Sequence, residues 1–157
     1  MEQVQQLEIK AGIQILKPVG EVFDAIVNPD KMKNYFISRS TGCMNEGETL
    51  VWQFPEMETE FMIKVGTIEK DKYISYYWDG AMDGEQTFVE MNLQGADSDH
   101  TFISITEKSK ANNEQGIKWL KSNTEGWANF LACLKAWMEY GIRLRKGAFP
   151  ASQPAVK

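Results

Sequence analysis

Few side chains in this 157-residue chain have the types and spacing for covalent chemistry. His100 is the only histidine, and it follows the turn-rich run Gly95-Ala-Asp-Ser-Asp99, so a solvated hairpin residue is expected. Alone, it sets up no Ser-His-Asp relay. Cys43 and Cys133 lie far apart in sequence, and with one histidine they supply no spaced zinc ligands. They read as free thiols, buried or half-buried, which suits a reducing compartment. There is no Gly-rich phosphate loop and no dinucleotide fingerprint, so no cofactor is expected. One carboxylate stands apart. Glu107 continues the alternation of Ile103 and Ile105, which aims it to the same side as those apolar residues. A carboxyl enclosed by apolar walls holds its proton more tightly than one in water, and could bind a polar group or relay a proton. The plainer reading puts Glu107 at a strand end, reaching water.

The second chemical resource is aromatic. Trp52, Tyr76, Trp78, Trp127 and Trp137 are all expected to face inward. Packed solid, they are core. Packed with a gap, they line a cavity for a ligand with a flat apolar body. Met62, Met91 and Met138 would make such a cavity adaptable, or simply fill space. Lys64, Lys70 and Lys72 with Glu58, Glu60 and Glu69 read as a solvated charged face.

These residues need elements to hold them. From Asn123 to Lys146, apolar residues recur at steps of three and four, including Trp127, Phe130, Leu131, Leu134, Trp137, Met138, Gly141 and Ile142. That predicts one long amphipathic helix, with Ser122 and Glu125 at capping-box spacing and Gly147 and Pro150 as its stop. Trp119 falls before it, in a polar and mildly helical lead. The helix needs a large apolar partner, and strands at 48–54, 59–70, 73–79, 85–93 and 100–107 provide it. Ile68 falls out of phase with Phe61, Ile63 and Val65, which predicts a bulge near Gly66. A first strand over 5–16 precedes a helix over 18–27. Asn28-Pro29 then caps a second short helix through Met32, Tyr35 and Phe36. Consecutive strands with tight turns imply an antiparallel sheet, so the fold class is α+β. Trp127, Leu131, Leu134 and Met138 are expected against Trp78, Met91 and Ile103.

Residues 17–36, KPVGEVFDAIVNPDKMKNYF, resemble the opening motif of START-like (SRPBCC) domains. More narrowly, they are similar to the branch homologous to the activator of the heat-shock-protein-90 ATPase: a Pro before the helix, Val-Phe within it, an Asn-Pro break, then an aromatic pair. Tyr35 stands where that branch usually has Trp. Ile74-Ser-Tyr-Tyr-Trp78 resembles its central strand, and Gly126-Trp127 with Leu131 and Leu134 its closing helix. The resemblance covers roughly residues 7 to 146. It implies the helix-grip fold: two short helices after strand 1, and a curved antiparallel sheet wrapped around a long C-terminal helix, often with a cavity between. It also implies functions that vary within one fold, from binding lipids, hormones or polyketides to catalysis.

The expectation is a single START-like domain over 1–147 with a tail over 148–157. A net charge of −5 argues against general nucleic-acid binding. No signal peptide and no membrane-inserting run is visible, so a cytoplasmic protein is expected. The leading functional expectation is a small apolar molecule bound in a cavity between sheet and helix. Its expected lining is Trp52, Tyr76, Trp78, Met91, Glu107, Trp127 and Leu131, with Tyr35 at the mouth. The alternatives are a protein-interaction module of the ATPase-activator type and a cavity enzyme of cyclase, dehydratase or hydrolase kind. The named activator carries a further N-terminal domain, for which this length leaves no room. The oligomeric expectation is a monomer or a homodimer.

Overall fold

The computed structural model describes residues 5–150. Strand β1 (Gln6–Ile15) leads into helix α1 (Val19–Val27) and the single turn α2 (Pro29–Met32). Strands β2 (Arg39–Ser40), β3 (Thr49–Gln53), β4 (Glu60–Glu69), β5 (Tyr73–Trp78), β6 (Thr87–Asp97) and β7 (His100–Ala111) follow, then helix α3 (Glu114–Tyr140). The strands form one antiparallel sheet in the order β1-β7-β6-β5-β4-β3-β2. The α+β helix-grip architecture expected from the sequence is therefore present. No helix among the described residues is long and apolar enough to cross a membrane.

Local chemistry explains the elements. Asn28 Oδ1 accepts from the Asp30 N–H, and Pro29 takes the first position of α2, where a missing N–H costs nothing. The expected bulge in β4 lies between Val65 and Ile68. Ser75 on β5 braces it: its hydroxyl accepts from Thr67 N and donates to Thr67 O. A Cβ on Gly66 would stand 2.7 Å from that hydroxyl oxygen, so only glycine leaves it room.

The bounds of α3 correct the expectation at both ends. It begins at Glu114, capped by Asn113, whose side chain accepts from Gly116 N at 2.8 Å. Residues 114–122 are mostly solvent-facing, which hid the periodicity, and Ser122 and Glu125 are mid-helix rather than a cap. Trp119 belongs to the helix and is buried. At the other end Gly141 takes φ +66° and returns its N–H to Ala136 and Trp137, closing the helix six residues early. Gly141 is thus the stop, not part of the stripe, and Ile142 beyond it is exposed.

Trp127, Leu131 and Leu134 are buried against the sheet, while Trp137 and Met138 are only partly covered. The six charged residues read as a solvated face are all exposed. Cys43 and Cys133 are both free; Cys133 is buried, but Cys43 is exposed rather than half-buried.

Candidate functional site

Inward alternation on β3, continued by Phe54 just past its end, and on β4 and β5 brings Trp52, Phe54, Phe61, Tyr76 and Trp78 onto one face, where they meet rings from α3 and from the α2–β2 segment. Deep in the interface these rings close on one another edge to face, the arrangement aromatic quadrupoles favour. Trp52 meets Tyr76 at 5.3 Å and Phe36 at 5.9 Å between centroids, and Phe36 meets Phe130 at 4.6 Å. At one end of the interface the packing stops and leaves a cleft of about 370 Å³.

Phe54, Phe61 and Trp78 form the sheet wall of this cleft, and Asn123, Gly126 and Trp127 the helix wall. A Cβ on Gly126 would meet nothing within 4 Å, so that glycine keeps the helix wall low where the cleft is open. Met57 and Met82 lie at its rim. The chain beyond α3 turns back to supply the last wall with Arg145, Phe149 and Pro150. It is tied down by a two-pronged ion pair, Arg145 Nε to Glu56 Oε2 at 2.9 Å and Nη2 to Oε1 at 2.7 Å, and by Arg143 Nη2 donating to Asn34 Oδ1. The Arg145 guanidinium lies 4.9–5.7 Å from the ring centroids of Phe149, Phe36 and Phe54.

Glu107 is fully buried behind this cleft. It is mid-strand, paired with Ile9 and Val89, because β7 runs on to Ala111. Both carboxylate oxygens are occupied. Oε1 accepts from Trp127 Nε1 at 2.8 Å and Asn123 Nδ2 at 3.2 Å, and Oε2 from Trp78 Nε1 at 3.0 Å and the Thr87 hydroxyl. One side chain therefore fixes both indoles of the cleft, and ties α3 to β5 and β6. Nothing in the sequence beyond the phase of Ile103 and Ile105 announces this, since indole and amide donors carry no charge pattern to read.

Nothing in the sequence singles out Lys110. The register shift opposite Leu7 and Glu8 breaks the alternation of β7, so Lys110 turns inward where Ser109 would be expected. Its ammonium pairs with Asp83 at 2.7 Å and Glu85 at 3.3 Å, beside the Trp119 ring. Burial alone would push the Lys110 pKa down, but the hydrogen bonds to Asp83 and Glu85 outweigh it and hold the pKa above its usual value. The bond from Lys110 in turn holds Asp83 below the usual carboxylate range. Lys110 so anchors the β5–β6 connection, which carries Gly80 and Met82 to the cleft.

Of the eight residues expected to line a cavity, Trp78 and Trp127 do so. Glu107 stands one layer behind them. Trp52, Tyr76, Met91 and Leu131 lie deeper, where neighbouring rings and aliphatic side chains leave them buried. Tyr35 is not at a mouth: its ring is fully buried, stacked on Trp137 and edge-on to Phe130, and its hydroxyl donates to Ala25 O at 2.8 Å. Burial raises the pKa of Tyr35, and of Tyr76, whose buried hydroxyl has no partner among the described residues. The cleft lies off-centre because the C-terminal segment and the β3–β4 turn build it, and neither has a periodicity to read. At the far hairpin, His100 is bonded to Asp99 and lies near Asp97; this small cluster is largely exposed.

Residues 17–139 match the sequence model of the family described as Activator of Hsp90 ATPase homolog 1-like protein. No functionally curated protein matches the chain significantly. Among solved structures, protein SSP2350 from Staphylococcus saprophyticus is 25% identical, with TM-score 0.74 over 87% of this chain and 94% of that one. The Aha1 dimer from Colwellia psychrerythraea is 20% identical, with TM-score 0.72 over 86% and 98%. The di-domain ARO/CYC BexL from the BE-7585A biosynthetic pathway is 12% identical, with TM-score 0.71 over 85% of this chain and 46% of that one. The chain thus spans about half the length of BexL. The last two likenesses concern the fold.

Proposed function

The chain belongs to the family of Activator of Hsp90 ATPase homolog 1-like proteins, and from that premise we propose that it binds a small apolar molecule in the cleft between Trp78, Trp127 and Phe149. One observation carries this reading: a cleft of about 370 Å³, walled by aromatic rings, beside rings that are buried and packed edge to face. Interiors pack to crystal density, and a gap of that size falls in the range of small-molecule sites. The two indoles are pre-positioned by Glu107, so a flat ligand meets walls that need no ordering on binding. Binding is favoured over catalysis because the carboxylates at hand are engaged, Glu107 by four donors and Glu56 by Arg145. The free thiols suit a cytoplasmic setting.

An apolar fluorescent probe should bind and alter tryptophan emission. Trp127→Ala should weaken that binding far more than Trp119→Ala, since Trp119 is equally buried but lies against Lys110, away from the cleft. Equal effects from both would count against the cleft as the site. A second reading, a protein-interaction module that pairs with a partner or with its own copy, draws on the dimer of the Colwellia protein and on exposed Tyr140, Ile142 and Leu144. Native mass spectrometry of protein taken from its own host separates the two: a co-purifying small molecule supports the first, a co-purifying protein the second.

A further inference from the structure

The cleft has a charged end that an apolar-ligand reading leaves unused. Arg145 faces two adjoining clefts, the aromatic one and a neighbour of about 320 Å³. The neighbour is lined by Lys33, Arg143, Arg145 and Lys146 against a single carboxylate, Glu56. Even with Lys33 also paired to Asp30 at 3.6 Å, a chain of net charge −5 has therefore gathered an excess of cations at one spot on its surface. Arg145 gives Nε and Nη2 to Glu56, and among the described residues Nη1 has no hydrogen-bonded acceptor. A guanidinium carries five donors in a planar fork, so pairing with one carboxylate leaves an edge able to take a second anion. The rings of Phe36, Phe54 and Phe149 lie around it and leave its side chain 14% exposed, which lowers the local dielectric and strengthens a charge-assisted bond formed there.

We infer that the ligand of this cleft is an apolar anion: a flat hydrocarbon body between Trp78 and Trp127, with a carboxylate or similar acidic head on the free edge of Arg145. The inference rests on the binding function proposed above and adds the chemistry of the head group. Glu56 stays on Arg145 and limits affinity by like-charge repulsion. The surrounding cations draw the anion toward the mouth, against the field of the whole acidic chain.

Two probes with one ring skeleton test this, 8-anilinonaphthalene-1-sulfonate and neutral N-phenyl-1-naphthylamine, titrated at low salt. The wild-type protein should bind the sulfonate roughly tenfold more tightly, a difference of about 1.4 kcal/mol. Arg145→Gln should remove that preference while keeping the neutral probe. Glu56→Gln should tighten the sulfonate alone, by about threefold or more. Equal affinities for the two probes, or a sulfonate preference untouched by Arg145→Gln, overturn the anionic head while leaving the apolar cleft standing. Failure of the wild type to bind either probe overturns both. If Arg145→Gln loosens the C-terminal segment and loses the neutral probe too, Glu56→Gln decides: a sulfonate affinity that does not rise relative to the neutral probe overturns the inference.

Discussion

The two ends of the sheet–helix interface are built from the same residue types and pack differently. At the closed end, Tyr35, Trp52, Tyr76 and Phe130 are each almost wholly buried and meet edge to face. At the open end, Phe54, Phe61, Trp78 and Trp127 present one side of each ring to a cleft. The difference does not lie in the rings. It lies in what covers them: α1, α2 and aliphatic strand residues at one end, and at the other a low helix wall at Gly126 and a segment tied by Arg145. An aromatic array is left open where its cover is a loop.

Substitutions can separate the two ends. Leu134 is fully buried at the closed end, so Leu134→Ala should cost about 2–5 kcal/mol in chemical denaturation. It should leave the affinity of the remaining folded protein for an apolar probe unchanged. A near-neutral result would mean that the interior is not close-packed. Glu107→Gln is the next largest. Its amide keeps one acceptor oxygen but turns an NH₂ toward two donors, at a cost of about 1–3 kcal/mol. Because those donors include a cleft indole, probe affinity should fall as well; loss of stability with unaltered affinity would make Glu107 a purely structural tie.

Lys110→Met probes the cover rather than the rings. The pair is partly exposed on its acidic side, so the expected loss is about 0.5–1 kcal/mol. Its pH dependence is the sharper signature. Asp83 is held below its usual pKa, so its contribution is complete above about pH 4 and disappears as pH falls further. Lys110 is held above its usual pKa, so its contribution is complete below about pH 10 and disappears as pH rises further. The deficit of Lys110→Met against the wild type, followed by thermal melts, should therefore be widest between those limits and narrow outside both. A deficit independent of pH would assign the effect to packing. Opposite in sign is Gly126→Leu, which should gain about 0.5–1 kcal/mol from helix propensity while filling the cleft and abolishing probe binding. Retained binding in that variant would place the ligand elsewhere.

Much of the closed end was legible in the sequence. Alternation in Phe61, Ile63 and Val65 and the phase break at Ile68 located a bulge, and Asn28-Pro29 located a helix start. These signals are local, repeated and enforced by burial. The open end was not legible, for equally physical reasons. Gly141 ends α3 inside an unbroken apolar rhythm, so the helix looked longer and the wall formed by Arg145 and Phe149 looked like its last turn and tail. The inward turn of Lys110 depends on a shift in the register of β1 against β7, which neither strand shows alone. Glu107 lay between. Its direction followed from phase, but its four partners come from β5, β6 and α3 and converge only in the folded chain.

The five tryptophans offer a direct measurement, because each indole N–H gives its own resonance in a ¹H–¹⁵N spectrum and they sit at different depths. Titrating an apolar probe into the labelled protein should move the Trp78 and Trp127 indole resonances together, along one saturating curve. Trp119, Trp137 and Trp52 should stay in place or shift only slightly. If the probe saturates the protein while Trp78 and Trp127 hold still, or if Trp119 and Trp137 respond in their stead, the cleft is not the binding site.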